Sequence, residues 1–249
     1  MSDKLTDKEF WIHDVDHHHF RRHDKGHTID KFINKYIPPD KDGSCLKIGS
    51  FPGHHLPAFG DLGYTLTGLD FHPLNKTALR KWLQDQNYLT EDFITGDFFE
   101  YRTSGKYDVV ASFGFIEHFV DYKNVILRHA TLVADGGYLM ITTPNFRGSI
   151  QNKLHRYFDS NNLSMHNVNS MEPGEWEELL LKNGFEILYR GFFGGFWFWH
   201  GHEQLSAGRK KLLWITERLI IRIRKLLWFE SRAFSAYAGI VARKRNSPL

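Results

Sequence analysis

Residues 46–56 read LKIGSFPGHHL. A short strand signal, Leu46 and Ile48 around Lys47, leads into Gly49, Ser50 and Gly53 before an apolar segment begins at Leu56. Glycine adopts backbone angles closed to residues that carry a Cβ, so this is the outline of a strand-to-helix turn that lets a ligand approach the main chain. Outward from it the pattern alternates. On the N-terminal side, HTIDKFINKYIPPD places Ile29, Phe32, Ile33 and Tyr36 at helical spacing, and Pro38-Pro39 ends that helix. On the C-terminal side, HHLPAFGDLG reads as a helix, YTLTGLD as a strand, NKTALRKWLQDQ as a helix, and DFITGDF and YDVVASFGF as strands. VDYKNVILRHATLV is a further helix and GGYLMITTP a further strand. Strand and helix signals alternating at this spacing imply an α/β fold, a doubly wound Rossmann-like parallel sheet with helices on both faces.

The second half is less regular. Residues 145–171 form a polar loop rich in His and Asn with one short helix, and EPGEWEELLLKNG is a helix ended by Gly184. FEILYRGFFGGFWFW is a strand running into an aromatic-glycine segment, KKLLWITERLIIRIRKLLW a long helix, and SAYAGIVARK a last strand. The expected organisation is an N-terminal helical cap over residues 1–39 and a main domain over 40–249. That domain carries a substrate loop at about 145–171 and a basic helical insertion at about 205–230.

In an open parallel sheet, ligands bind beyond the carboxyl ends of the strands. Asp70 ends the second strand, 21 residues after Gly49, the position of a carboxylate that accepts ribose hydroxyls; Phe71 follows it. Asp97 and Phe98 follow the third strand, where an acid can accept from an adenine amino group and a phenyl ring can cover the base. Ser112 and Phe113 end the fourth strand.

The segments LKIGSFPG, LTGLD, GDFF, YDVVASFGFIEHF and LVADGGYLMITTPN, within about residues 43 to 146, resemble the class I S-adenosylmethionine-dependent methyltransferases. They are most similar to the small-molecule branch that includes the ubiquinone-type O-methyltransferases. The resemblance implies a seven-stranded sheet whose last strand, SAYAGIVARK, is antiparallel, S-adenosyl-L-methionine as cofactor, and transfer of a methyl group to a small-molecule acceptor at oxygen. A loose likeness of TPNFRG and MHNVNSM to methyltransferases of bacterial surface-glycan pathways favours a sugar, glycan or lipid-linked acceptor. Two positions depart from the family. Lys47 stands where an acid usually orients the methionine amino group, which would then rely on carbonyls near Ser112 to Gly114. Phe51 replaces the middle glycine, which harms pyrophosphate binding more than sulfonium binding. Two other readings stay open: a catalytically silent module of the same fold, and an NAD-dependent oxidoreductase, disfavoured because the GxGxxG spacing is absent.

Methyl transfer to a hydroxyl needs alignment and benefits from a base. His118 is the first candidate, because a histidine accepts a proton near neutral pH; Glu117 and His166 are the others. Asn145, Arg147 and Asn167 are expected to hold the substrate. Each of these polar groups has an alternative reading as packed or solvated loop structure.

A chain of 249 residues with 41% apolar and 24% charged residues suits one sizeable domain. MSDKLTDKEF has no apolar run behind it, so no signal peptide is expected, and the lone Cys45 excludes an internal disulfide or a thiolate zinc cluster. A cytoplasmic protein is expected. The net charge of +3 is too small to argue for nucleic acid, but Arg209 to Phe229 alone carries +6. Its helix places Leu212, Leu213, Ile215, Leu219, Ile220, Ile223, Leu226 and Leu227 on one face expected to pack on the body. Trp214, Ile221 and Trp228 run between the basic residues opposite. That arrangement suits peripheral contact with an anionic membrane through residues 209–229; burial between the last two strands or in a homodimer interface is the competing reading. The N-terminal histidines His13, His17, His19, His23 and His27 repeat at helical intervals, which invites a metal. The block lacks apolar periodicity and Gly26 interrupts it, so a solvated or lid-forming segment is expected and no metal is assigned.

Overall fold

The computed structural model describes residues 4–6, 9, 12, 20–24, 26–198, 200, 205–223, 226 and 229–246. Seven strands form one sheet: β1 (Ser44–Ile48), β2 (Thr65–Asp70), β3 (Thr90–Thr95), β4 (Tyr107–Phe113), β5 (Val133–Pro144), β6 (Phe185–Phe196) and β7 (Ser235–Lys244). Their order is β3-β2-β1-β4-β5-β7-β6. β1, β2, β3, β4 and β5 pair in parallel, and β7 runs antiparallel between β5 and β6. The order reverses at β1 and β4, so the loops after these two strands open a crevice at the sheet's carboxyl edge.

Alternation along the strands builds two cores. Cys45, Leu66, Val109, Ala111, Met140 and Val241 face one side. They meet Ile29, Phe32 and Ile33 of α1 (Thr28–Tyr36), Leu56 and Phe59 of α2 (Leu56–Asp61), and Leu79 and Leu83 of α3 (Ala78–Asp85). Leu46, Ile48, Val110, Leu139, Ile141 and Ile240 face the other side. They meet Val125 and Ile126 of α4 (Tyr122–Thr131) and Trp176 and Leu180 of α7 (Pro173–Lys182). Successive strand residues point to opposite faces, which explains why central strands rich in Val, Leu and Ile lack a polar face.

The expected loop at 145–171 contains more structure than its polar composition suggests. α5 (Ser149–Phe158) and α6 (Ser160–Ser164) occupy most of it. The two are joined through Asp159, whose Oδ2 meets His155 Nδ1 at 3.1 Å and accepts from Asn162 Nδ2 at 2.8 Å. His155 and Asp159 are buried, so their pairing satisfies polar groups that would otherwise oppose packing. The insertion contains α8 (Ala207–Ile223). Its apolar residues do not form the packed face expected: Leu213 and Ile220 are buried against Phe158, Phe196, Phe198 and Phe234, whereas Leu212, Ile215 and Leu219 are exposed. Trp214 and Ile221 are exposed too, and Arg218 lies over the Trp214 ring at 4.1 Å. Leu227, Trp228, Arg224 and Lys225 lie outside the described residues. No helix among the described residues is long and apolar enough to cross a membrane.

Candidate active site

The turn after β1 is built by its glycines. Gly49 has φ +63°, and a Cβ there would stand 3.1 Å from the Phe115 ring, at the floor of a cleft. Gly53 has φ +92°, and a Cβ there would collide with Leu79 at 2.3 Å, so it packs the turn onto α3 and does not face the cleft. Ser50 also turns away, donating to Asn75 Oδ1 at 2.7 Å.

The cleft, about 220 Å³, lies across the carboxyl ends of the central strands and is lined by Gly49, Asp70, Phe71, Asp97, Phe98 and Phe113, among others. Asp70 accepts the amide protons of Phe51 at 3.0 Å and His72 at 2.9 Å. Burial raises its pKa; the two amides and the Lys47 ammonium oppose that rise and hold the carboxylate in place. Phe51, the residue at the middle-glycine position, stacks on His72 at 3.8 Å with planes 6° apart, so its bulk forms part of the wall. Asp97 accepts from the Phe99 amide at 2.8 Å and pairs with Lys4 at 2.6 Å, while the Lys4 ammonium also sits 4.4 Å above the Phe71 ring. The chain near Lys4 is held by the Leu5 N–H, which donates to the His118 carbonyl at 2.9 Å, so Lys4 and Thr6 line the cleft on the side of Asp97 and Phe98.

Lys47 is buried, and its ammonium turns to the chain's own carbonyls, Gly49 at 2.6 Å and Ile48 at 3.1 Å. Burial brings it down to about 8, against the attraction of Asp70, Cys45 and Glu117. It therefore stands behind the glycine turn as a compensated charge.

A second cavity, about 290 Å³, shares Phe113, Gly114 and His118 with the cleft and is further lined by His55, Glu117, Thr143, Met165 and His166. Glu117 is fully buried, and neither carboxyl oxygen makes a hydrogen bond of ordinary geometry. Burial pushes its pKa up to about 8, opposed by the nearby amides of Glu117 and Phe115 and by Lys47. His118 lies within 3.2 Å of the Met165 carbonyl through Nδ1, which fixes the proton there and makes Nε2 the acceptor nitrogen. Burial, then His166, brings its pKa down to about 3. His166 meets the Asn162 carbonyl at 2.7 Å, and burial lowers it to about 4.

Besides Ser50 and Gly53, four expected ligand contacts are not brought to either cavity. Asn145 donates to the carbonyls of Arg232 and Ser235, both at 2.9 Å, and accepts from the Gly148 amide, so its amide joins β5 to the chain before β7. Asn167 donates to the Phe119 and Val120 carbonyls and ties the loop to the turn after β4. Arg147 faces Glu172 at 3.7 Å on the surface. Ser112 is buried within β4, away from both cavity walls.

A family model described as "Methyltransferase domain" matches residues 17–190, most of the chain. The chain belongs to the methyltransferase-domain family. A search of curated proteins finds no match. Among solved structures, the chain is similar to a Bacillus halodurans C-125 protein described as a methyltransferase, at 16% identity over 87% of this chain and 98% of that one, TM-score 0.60. It is similar to an S-adenosylmethionine-dependent methyltransferase from Archaeoglobus fulgidus at 18% identity over 87% and 93%, TM-score 0.55. A magnesium protoporphyrin IX methyltransferase from Synechocystis PCC 6803, solved with bound S-adenosylmethionine, matches at 14% identity over 87% and 76%, TM-score 0.50. At these identities the likeness shows the fold, which is the class I S-adenosylmethionine-dependent methyltransferase fold that the sequence resembles.

Within this methyltransferase fold, sequence reasoning missed His55, His72, Lys4 and Met165. His72 and His55 adjoin the segments already singled out, two residues after Asp70 and two after Gly53, so position beside a strand-end loop was the available signal. Met165 precedes His166 within the same loop, so its place in that segment was the signal, whereas Lys4 reaches the site only through tertiary contacts.

Proposed function

We propose that the protein transfers a methyl group from S-adenosyl-L-methionine to an oxygen of a small acceptor, with a sugar, glycan or lipid-linked molecule as the favoured class. The carrying observation is that two cavities meet at Phe113, Gly114 and His118. The cleft side fits the cofactor: Asp70, with its carboxylate pinned by two amides, suits ribose hydroxyls, and Asp97 and Phe98 suit the adenine once Lys4 yields its place. The bound cofactor supplies an electrophilic methyl on a sulfonium. Every other requirement falls on the chain.

Glu117 is the base we assign to the acceptor hydroxyl, because its pKa near 8 lies close to the working range, whereas His118 near 3 is a weak proton acceptor. His118 instead orients the acceptor by accepting a hydrogen bond at Nε2, and His166 supports it at 4.6 Å between rings. Water-poor walls, Phe113 and Met165 among them, strengthen these interactions. We assign residues 145–171 to the acceptor side and residues 1–39 to a cover over both cavities, and we propose that α8 rests on an anionic membrane surface from the cytoplasmic side. Transfer of labelled methyl groups from S-adenosylmethionine across a panel of glycosides, prenyl-linked sugars and phenols tests the activity. Transfer to none of them, with cofactor still bound, would favour the silent module.

A further inference from the structure

Outside the strand-end cleft, and touching the second cavity only through His55, four side chains converge beside the glycine turn. His23 and His27 precede α1, Asp30 lies in its first turn, and His55 precedes α2. His23 and His55 each bring Nδ1 to 3.3 Å from the same oxygen, Asp30 Oδ1, and His27 Nδ1 stands 3.9 Å from it. One potential ligand atom from each of the four lies within 4.8 Å of every other. The histidines do not align on a helix, as their spacing in the sequence suggests; residues 20–24 are non-helical, and it is the fold that gathers them. His13, His17 and His19 lie outside the described residues.

We infer that His23, His27, Asp30 and His55 form a binding site for one divalent transition-metal ion of the zinc type. Three imidazoles and a carboxylate are the donor set for such an ion, and bonds of about 2.0 Å in a tetrahedron put donor atoms about 3.3 Å apart. Two of the donor separations from Asp30 already have that value. Hydrogen bonding alone does not account for the third. His27 Nδ1 stands 3.9 Å from Asp30 Oδ1, beyond hydrogen-bond reach, and its single lone pair accepts the Ile29 amide proton at 3.3 Å, so ligation through Nδ1 exchanges that bond for one to the ion. His23 and His27 stack with ring centroids 3.6 Å apart, a contact suited to neutral rings and poor for two imidazolium ions. The side chains are 15% to 31% exposed, which leaves a path for the ion.

The position gives the ion a consequence. Asp30 belongs to a helix packed on the sheet, His55 follows the cofactor turn and lies against Phe113 at 4.9 Å, and His23 belongs to the segment whose Phe20 meets Phe51 and Trp82. An ion here clamps residues 20–30 onto the wall shared by the cleft and the acceptor cavity.

The test is calorimetric titration of the full chain, stripped with a chelator, with zinc chloride, repeated for His23→Ala, His55→Ala and Asp30→Asn. His166→Ala serves as control for the separate group Glu117, His118 and His166. One ion per chain with Kd of about 1 μM or tighter is expected, weakened roughly 100-fold or more by each of the three substitutions, beyond the effect of losing an outer-shell partner. Cobalt loading should show the intense visible absorption of a tetrahedral ion. His23→Ala leaves the cavities intact and decides the matter should His55→Ala melt early without metal. No binding below about 100 μM, unchanged affinity in His23→Ala, or loss in His166→Ala would each overturn the assignment.

Discussion

The cleft we assign to the cofactor and the cavity we assign to the acceptor share a wall, yet they are built in opposite ways. Asp70, Asp97 and Phe113 end or follow consecutive strands, and each is placed by the ladder that carries it. The acceptor side depends on Glu117, His118 and His166, of which the last is brought in by two helices held through the buried His155–Asp159 pair. The first region is a property of the sheet and tolerates unusual residues such as Phe51, which becomes a stacked wall. The second is a property of loop packing, and its chemistry rests on burial.

Substitution at Glu117 should separate the two most sharply. Glu117→Gln should reduce kcat by about 10²- to 10⁴-fold, the range for losing a general base, with cofactor affinity nearly unchanged. The wild-type rate should climb with pH and level off above about 8, and the variant should lose that limb. Stability carries the same signature. The folded pKa lies above the ordinary 4.5, so the folded protein holds the extra proton between these values and wild-type stability falls as pH rises through about 8. The variant's melting temperature should match wild type near pH 4.5 and exceed it increasingly toward pH 8.5. Equal differences at both pH values would count against a buried, protonated Glu117.

On the membrane side, reversing Arg218 and Arg222 to glutamate should weaken binding to phosphatidylserine vesicles roughly tenfold or more at low salt, at about 1 kcal/mol per basic residue. Absence of vesicle binding by the unaltered protein would instead leave the exposed Trp214 and Ile221 to another partner. A smaller effect is expected at the cleft's cover. Lys4→Ala removes a partly exposed pair to Asp97, so cofactor binding should tighten about two- to fivefold; weaker binding would show that Lys4 helps hold the base. Smallest of all, Lys47→Met should leave cofactor affinity nearly unchanged, since the ammonium faces carbonyls, and move the activity limb upward in pH, because it removes the cation that lowers Glu117.

The same contrast explains what could be read in advance. The alternating strands, the glycine turn and the acids at strand ends follow local rules, so the parallel part of the sheet and the placing of Asp70 and Asp97 at its carboxyl edge are legible, whereas the antiparallel last strand follows from the family resemblance. Asn145 and Asn167 looked like substrate contacts because polar loop residues beside a site usually face it; here they satisfy carbonyls that no strand pairs. The apolar stripe of α8 promised a packed face, but the body offers it only the aromatic patch around Phe196 and Phe234. His118 is the first candidate because a histidine ordinarily accepts a proton near neutral pH; burial lowers its pKa to about 3 and raises that of Glu117 to about 8, which is why we assign the base to Glu117. The gathering of His23, His27 and His55 needed the fold itself, since the last of them belongs to the turn after β1.

The central claim is that the strand-end cleft holds the methyl donor through Asp70. Calorimetric titration with S-adenosylhomocysteine, for wild type and Asp70→Ala, tests it most directly. Loss of two hydrogen bonds to a charged acceptor predicts binding weakened by roughly 100-fold or more at unchanged folding. Equal affinity in the two proteins, or stronger binding of NAD than of S-adenosylhomocysteine by wild type, would contradict it.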